Sequence, residues 1–352
     1  MNFAGEAPES GRSLLLVAGS GRSGTSLFAG LMGRLGFHIP LPEVQPDGSN
    51  PTGFGEPRWA VDFHKELLRS QNVASQDGRP WAWTATGKVA AQEHPRRRLR
   101  EWLEEQLSHG GRVVVKDPRL AWFLDLYLRT AEELGANVSV VTMLRHPAEA
   151  IRSREMAYGM ATSAVTLTAG WLNMMLGTEE RTRDLSRAIV RYDDLLSDWR
   201  SALAAAEQQL AIPLAGPVPE ERLRYAGELV DVSLRRAAAD WSALALPGDV
   251  QALAQATYDA LDRLAGGEQA EEAQASLDEL RGRYSRHYEN AESFARFSIR
   301  AARVQERRKL ARAGGAATAT PGAPMAKTGG DGAVSWFQRL RTAVSRAASR
   351  RR

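Results

Sequence analysis

The sequence predicts an α/β protein with a mostly parallel sheet flanked by helices and with a helical, basic C-terminal extension. Two observations carry this prediction. Short apolar runs alternate with longer segments of helical character, a pattern typical of parallel sheets covered by helices on both faces. A glycine-rich turn also joins the first apolar run directly to a helix, in L-L-L-V-A-G-S-G-R-S-G-T-S-L-F-A-G-L-M-G-R-L at 14–35.

The predicted strands lie near 13–18, 111–115, 137–144 and 187–191. Helices are expected between them, over Gly24–Leu35, Arg58–Arg69, Arg97–Leu107, Leu120–Leu134, Thr166–Leu185 and Leu195–Leu210. Two segments, 38–57 and 71–95, are expected to be irregular. A long irregular stretch within a compact domain is usually functional, so 38–57 is expected to contribute to a site.

Changes in composition divide the chain into five predicted segments. They are a flexible N-terminus at 1–11, an α/β domain at 12–267, a helical extension at 268–312, a flexible linker at 313–333 and a basic amphipathic tail at 334–352. In the extension, Leu277, Leu280, Tyr284 and Tyr288 form one apolar stripe that is expected to pack on the body or on a second chain.

Composition limits the chemistry. The chain has 352 residues, 43% of them apolar, which is enough for one sizeable core. It has no cysteine, which excludes disulfides, thiolate metal sites and a cysteine nucleophile. Its six histidines form no H-E-x-x-H pair, so no protein-bound metal is expected. No signal peptide or membrane span is expected either, which predicts a cytoplasmic protein.

The net charge of +4 is unevenly distributed. Residues 300–312 carry six basic residues and one acid, 313–333 balance to zero, and 334–352 carry six arginines and no acid, which together give +11. Residues 1–299 therefore carry −7. A nucleic-acid-binding body is expected to carry basic charge on its own surface, so no nucleic-acid partner is predicted.

The loop at 19–26 has the features of a phosphate-binding site. Gly19, Gly21 and Gly24 allow a tight turn that brings backbone N–H groups close to an anion. The positive end of the following helix points to the same place, with Thr25 and Ser26 in its first turn. A guanidinium inside the loop, Arg22, can donate two hydrogen bonds to a charged ligand, and Ser23 lies beside it.

Two nucleotide-binding motifs match this loop incompletely. As G-x-x-x-x-G-K-[ST], the loop has Thr25 in place of the lysine that reaches the terminal phosphates of ATP or GTP. As G-x-G-x-x-G, it needs an acid at the end of a second strand about 20 residues further on. Glu43 stands near that distance, but in a segment too rich in proline for a central strand.

Charged and polar residues follow the other three predicted strands. Lys116 and Asp117 end the second, in K-D-P-R, where Asp117 suits the N-cap of a helix that begins at Pro118. Arg145 ends the third, and Ser153 follows it in a helix. The fourth ends in I-V-R-Y-D-D-L, which contains Tyr192. Open α/β sheets bind ligands at the carboxyl ends of their strands, so these residues are candidates for one site.

Together, these four segments resemble the sulfotransferases that use 3′-phosphoadenosine 5′-phosphosulfate, and they resemble bacterial members most. The resemblance covers about residues 12–265 and implies a P-loop NTPase-like sulfotransferase fold. The loop G-S-G-R-S-G-T-S is similar to the family's 5′-phosphosulfate loop. K-D-P is similar to the version found in tyrosylprotein and bacterial sulfotransferases, and R-Y-D-D-L to the family's R-Y-E-D-L.

The resemblance implies a role for each matching residue. Arg22 and Lys116 would stabilise the transferring sulfuryl group, Arg145 and Ser153 would bind the 3′-phosphate, and Tyr192 would lie near the adenosine. The implied cofactor-binding residues are Gly19, Gly21, Arg22, Ser23, Gly24, Thr25, Ser26, Arg145, Ser153 and Tyr192. The implied cosubstrate is 3′-phosphoadenosine 5′-phosphosulfate, without a metal.

An acceptor hydroxyl also requires a base. Glu56 is the first candidate, because N-P-T-G-F-G-E is similar to the segment N-P-x-G-x-x-E of bacterial members. Glu43 is the second, because its distance from Arg22 resembles the base spacing of tyrosylprotein sulfotransferases. The acceptor is predicted to be a small molecule, a carbohydrate or a glycolipid, and its identity stays open.

One departure from the family and two alternative functions remain. The R-K-G-x-x-G motif of the cytosolic steroid and phenol sulfotransferases is absent, and Arg235 and Arg236 are weak substitutes for it. The alternatives are a P-loop kinase-like phosphotransferase and a membrane-associated nucleotide-binding adaptor without catalysis. In the tail, an apolar face with Trp336 and Phe337 lies between arginines, which predicts contact with an anionic membrane surface, at the inner face of the membrane.

Overall fold

The computed structural model describes residues 11–48, 50, 53–159, 162–234, 240–267 and 269–317. Most of the predicted N-terminal segment, residues 318–333 of the predicted linker and the whole predicted tail lie outside these residues, as do Arg235 and Arg236. Contacts divide the chain into one unit at Met1–Glu292 and a second at Ser293–Arg352.

The first unit is built on a four-stranded parallel sheet of strand order β2-β1-β3-β4. The strands are β1 (Ser13–Gly19), β2 (Arg112–Lys116), β3 (Asn137–Leu144) and β4 (Ser186–Arg191). In the register of the sheet, Val17 of β1 lies opposite Lys116 of β2 and Val141 of β3. All four strands lie within one residue of the predicted positions, which confirms the predicted fold class.

Helices connect and cover the strands. In chain order they are α1 (Thr25–Leu35), α2 (Arg58–Ser70), α3 (Ala82–Gly87), α4 (Glu93–Leu107), α5 (Leu124–Glu133), α6 (Pro147–Tyr158), α7 (Ala164–Thr182), α8 (Tyr192–Ser197), α9 (Trp199–Leu210), α10 (Glu220–Gly227), α11 (Gly248–Ala265) and α12 (Ala270–Ala317). Short 3₁₀ turns lie at Lys88–Ala91, Leu120–Phe123, Val232–Leu234 and Trp241–Ala243.

Alternate side chains of β1 enter two different cores, as expected for a strand buried on both faces. Leu14, Leu16 and Ala18 pack with residues of α4 and α5. Leu15 and Val17 pack with residues of α1 on the opposite face. The sheet is therefore the middle layer between two layers of helices. The helices cover its faces and leave its strand ends available for polar residues.

Three sequence predictions about helices were wrong in detail. The segment 71–95 is not wholly irregular, because it holds α3, a 3₁₀ turn and the start of α4. The predicted helix Leu120–Leu134 is a 3₁₀ turn followed by α5. The predicted helix Leu195–Leu210 is interrupted at Asp198, whose backbone leaves the helical region and whose carboxylate caps α9 through the N–H groups of Arg200 and Ser201.

The first turns of α12 belong to the first unit. Ala273, Leu277, Leu280 and Tyr284 are buried in a core with residues of α7 and α11, which confirms the predicted apolar stripe over these turns. The helix extends to Ala317, five residues into the predicted linker 313–333. Each added residue of a helix contributes one backbone hydrogen bond, and alanine, common here, is the best helix former.

Candidate functional site

The loop between β1 and α1 has a backbone that only certain residues tolerate. Gly19 and Gly24 have φ angles of +130° and +92°. A Cβ at Gly19 would lie 2.8 Å from the carbonyl oxygen of Met143, and one at Gly24 would lie 2.3 Å from Cδ2 of Tyr192. Both positions therefore require glycine, and the turn that results places the N-terminus of α1 at the strand ends.

A cavity of about 440 Å³ lies at this edge of the sheet. Its lining includes residues that follow β1, β2 and β3, as parallel strands predict. Of the predicted site residues, those that line it are Gly21, Arg22, Gly24, Thr25, Ser26, Glu56, Lys116, Arg145, Ser153 and Tyr192.

Two predicted cofactor residues, Gly19 and Ser23, do not line this cavity. Gly19 shapes the loop, as described above. The buried hydroxyl of Ser23 donates to the carbonyl oxygen of Ser20 at 2.6 Å. The side chain of Ser23 is therefore directed into the loop, which corrects the expectation that it faces a ligand.

Lys116 and Glu56 form a buried ion pair at the cavity wall. The Lys116 ammonium lies 2.6 Å from Oε1 of Glu56, and the two residues are 2% and 8% exposed. The same ammonium also donates to Oγ of Ser26 and to the carbonyl oxygen of Phe54, each at 3.1 Å. The pair joins the end of β2 to the start of α1 and to the segment before α2.

Arg145 crosses from the end of β3 to the loop. Its Nε donates to Oε2 of Glu149 at 3.0 Å, and its Nη1 donates to the carbonyl oxygen of Arg22 at 3.0 Å. Its Nη2 is buried and has no hydrogen-bond partner among the described residues. A buried guanidinium nitrogen without an acceptor is costly, so this donor is suited to an anionic ligand in the cavity.

Ser153 lies beside the loop, close to Arg22. α6 begins at Pro147, its first-turn proline, and brings Oγ of Ser153 to 3.2 Å from Nε of Arg22. Both residues of the predicted 3′-phosphate clamp thus contact Arg22, Ser153 from α6 and Arg145 from the end of β3. All three side chains line the same cavity.

Tyr192 lies against Arg145 in the cavity wall. The guanidinium carbon of Arg145 lies 4.5 Å from the centroid of the Tyr192 ring, within cation–π distance. The ring also packs on Gly24. Burial raises the pKa of the Tyr192 hydroxyl, which keeps it protonated.

The alternative base, Glu43, lies outside the cavity lining. It is half-buried, and it pairs through a short antiparallel bridge with Pro57. Burial raises the pKa of Glu43, while a hydrogen bond from the backbone N–H of Gly55 partly opposes this. Of the two candidate bases, Glu56 alone faces the cavity in this structure.

The turn after β2 is anchored by a buried network that sequence reasoning missed. Nδ1 of His64 lies 2.7 Å from Oδ2 of Asp117, and Nε2 of His64 lies 3.1 Å from the Tyr127 hydroxyl. Asp117 Oδ1 accepts from Nη1 and from the backbone N–H of Arg119, at 2.6 and 3.1 Å. Asp117 therefore organises a turn, and not the N-terminus of a helix at Pro118 as predicted, because the 3₁₀ turn begins only at Leu120.

The same network sets the charge of Asp117. Complete burial alone would raise its pKa. The hydrogen bond from His64 and the nearby charge of Arg119 outweigh burial and hold the pKa of Asp117 below its usual range. The charged Asp117 carboxylate therefore stabilises the turn that directly follows Lys116.

The cavity lining also includes residues that were not predicted, among them Ser75, Gln76, Arg119 and Arg154. Burial lowers the pKa of Arg154, the interaction with Tyr158 opposes this shift, and the positive charges of Arg22 and Arg119 lower the pKa further. All three arginines line the same cavity. The signals for the two arginines were their positions directly after Asp117-Pro118 and after Ser153. Nothing in the local sequence distinguishes Ser75 and Gln76, because they lie on a segment without a recognisable pattern.

The described residues contain no cluster of three or more histidine or acidic side chains that could hold a metal ion. Within the same residues, every helix is too short or too polar to cross a lipid bilayer.

No protein-family model matches the chain, and no curated protein matches it. Among solved structures, the chain is similar to the sulfotransferase domain from the Synechococcus PCC 7002 olefin synthase, with 19% identity, a TM-score of 0.38, and coverage of 71% of this chain and 96% of that one. It is also similar to the sulfotransferase domain from the curacin biosynthetic pathway, with 18% identity, a TM-score of 0.38, and coverage of 69% and 96%.

Proposed function

We propose that this protein transfers a sulfuryl group from 3′-phosphoadenosine 5′-phosphosulfate to an acceptor hydroxyl. The observation that carries the proposal is the convergence of Arg22, Lys116, Arg145 and Ser153 on one cavity at the N-terminus of α1. These four residues come from three strand ends and one helix. Their types and spacings are the ones for which the sequence resembles sulfotransferases.

The cavity fits the two charged ends of the cosubstrate. Backbone N–H groups of the loop and the positive end of α1 would bind the 5′-phosphosulfate, with the hydroxyl of Ser26. Nη2 of Arg145, which is buried and finds no acceptor in the part of the chain that the structure describes, would donate to the 3′-phosphate together with Ser153. The Tyr192 ring lies over Arg145 and would contact the adenosine.

The cosubstrate supplies an activated sulfuryl group, whose displacement spreads negative charge over its oxygens and over the leaving phosphate. Lys116 and Arg22 would stabilise this charge, because cations fixed in a largely buried site interact strongly with it. Glu56 would accept the proton of the acceptor hydroxyl. The hydrogen bond that the Lys116 ammonium donates to Glu56 supports this pairing of a base with the cation that would face the developing charge.

The acceptor is proposed to be a carbohydrate or a glycolipid. The cavity wall beyond the loop carries hydrogen-bonding side chains, among them Ser75 and Gln76, and such a wall suits a ligand with several hydroxyl groups. The predicted contact of the tail 334–352 with an anionic membrane surface would place the enzyme near a lipid-linked acceptor.

Phosphoryl transfer is the competing reaction, and one contact bears on it. The loop itself lacks a lysine, but Lys116 reaches Ser26 from β2. A lysine therefore does stand at the loop, as it would in a nucleotide kinase. The ligand test must include ATP for this reason.

The test is nucleotide binding, measured by thermal unfolding and by titration calorimetry. Adenosine 3′,5′-bisphosphate at a hundred times its dissociation constant should add about 2.7 kcal/mol to the free energy of unfolding. Adenosine 5′-phosphate, ATP and NAD at the same concentration should add clearly less. A larger effect from ATP than from the bisphosphate would contradict the proposal and favour a phosphotransferase.

A further inference from the structure

The second unit carries an apolar stripe on the exposed surface of α12. Phe294 and Phe297 are each 79% exposed, and Val304 is 42% exposed. With Ala301 they recur at steps of three and four residues, so they lie within an arc of about 80° on a helix that turns 100° per residue. Neighbouring exposed phenylalanines are uncommon on a soluble surface and mark a site of interaction.

A row of cations borders this stripe. Arg296, Arg300, Arg303 and Arg307 also recur at steps of three and four residues, which places them along one adjacent line of the helix. Residues 293–310 contain six cations and one acid, Glu306, for a net charge of +5. The partner of this surface must therefore offer both an apolar layer and dense negative charge.

A second copy of the helix would not supply that charge. If the stripe were the seam of a coiled coil, the flanking positions would hold Ser298, Arg300, Gln305 and Arg307. None of these residues is acidic, so no flanking position would pair with the arginines of a second copy. Nucleic acid would supply charge, but its phosphate backbone offers no apolar layer for the two phenylalanines.

We propose that residues 293–310 of α12 form an interfacial helix that binds an anionic lipid surface. Phe294, Phe297 and Val304 would enter the boundary between headgroups and acyl chains. The arginines would lie along that boundary and extend their guanidinium groups to the lipid phosphates. This inference rests on α12 alone, and it holds or fails independently of the proposed sulfuryl transfer and of the predicted tail.

The experiment is co-sedimentation of the full-length chain with vesicles. The chain should bind vesicles of mixed phosphatidylcholine and phosphatidylglycerol, and it should not bind vesicles of phosphatidylcholine alone. Phe294→Gln/Phe297→Gln and Arg300→Gln/Arg303→Gln/Arg307→Gln should each reduce binding to the anionic vesicles by about tenfold or more. Glutamine is a good helix former and keeps the helix intact.

Ile299→Gln/Leu310→Gln is the matched control. Ile299 and Leu310 are exposed apolar residues of the same helix, but they lie on the far side of the arginine row from the stripe. This variant should bind as the unmodified chain does. Helix content by circular dichroism and the unfolding temperature should be the same for all three variants.

Three outcomes would overturn the inference. The phenylalanine variant could bind anionic vesicles unchanged, which would assign any lipid binding to another segment. The control could lose as much binding as the phenylalanine variant, which would remove the role of the stripe. Sedimentation velocity could show a dimer that the phenylalanine variant abolishes while no vesicles are bound, which would assign the stripe to a second copy.

Discussion

Arg145 provides the sharpest test of the nucleotide site. Its Nη2 is a buried donor with no acceptor among the described residues, and its Nε donates to Glu149, which is fully buried. Arg145→Ala alone would leave that carboxylate in the core without this partner, and breaking a buried pair costs about 3–5 kcal/mol of stability. The informative variant is therefore Arg145→Gln/Glu149→Gln, which removes both charges together.

The expected effect on affinity follows from the contacts that would be lost. A hydrogen bond to a charged group contributes about 1.5–3 kcal/mol, which corresponds to roughly 10- to 150-fold in the dissociation constant. The double variant should lose this much affinity for adenosine 3′,5′-bisphosphate. Its affinity for adenosine 5′-phosphate, which has no 3′-phosphate, should stay nearly unchanged.

Titration calorimetry with both nucleotides measures this difference, and urea unfolding checks the fold. Arg152→Gln is a matched control, because Arg152 lies on α6, as Glu149 does, but outside the cavity lining, with its Nη1 at 3.4 Å from the carbonyl oxygen of Ala243. It removes one positive charge close to the site and should change neither affinity. Equal losses for the two nucleotides in the double variant would refute the assignment of Arg145 to the 3′-phosphate.

Three other perturbations test the rest of the site. Glu56→Gln keeps an oxygen that accepts from Lys116 but removes the buried partner charge, so it should lower stability while retaining the fold and binding of adenosine 3′,5′-bisphosphate. It should lower the transfer rate by about a hundredfold or more, and retained activity would move the base to Glu43. Asp117→Asn should reduce the loss of unfolding free energy at acidic pH. A carboxylate whose pKa is lowered by folding stabilises the fold at pH values above its unfolded pKa of about 3.9, and this stabilisation is lost as pH falls through the folded pKa. Urea unfolding from pH 7 to pH 3 measures it, and an unchanged acid limb would argue against a charged Asp117. Gly24→Ala should cost about 1–3 kcal/mol, because φ is +92° and the new Cβ would overlap Tyr192; calorimetric unfolding equal to the unmodified chain would contradict that geometry.

The sequence by itself determined the sheet and the loop. Both are encoded locally: short β-branched and leucine-rich runs can be buried only as central strands, and the glycines between β1 and α1 permit backbone angles that other residues avoid. Parallel strands also place their carboxyl ends at one edge. The positions of Lys116, Arg145 and Tyr192 near one another followed from these rules without coordinates.

Only the tertiary structure decided which side chains meet. Lys116 and Glu56 are 60 positions apart, and His64 and Asp117 are 53 apart, so no helical or strand period relates them. These contacts depend on how α2 and its preceding loop pack against the end of β2. Burial then makes each pairing necessary, because an isolated charge in the interior is far more costly than one in water.

The same distinction explains the errors. Ser23 stands in a loop typical of phosphate binding, but the direction of its hydroxyl depends on a turn that returns it to Ser20. The sequence marks Arg154 only by its position after Ser153, and Arg154 becomes part of the site because α6 lies along the loop. Sequence determines what a residue can do through its chemistry and local backbone, whereas packing between distant segments determines which partner it finds.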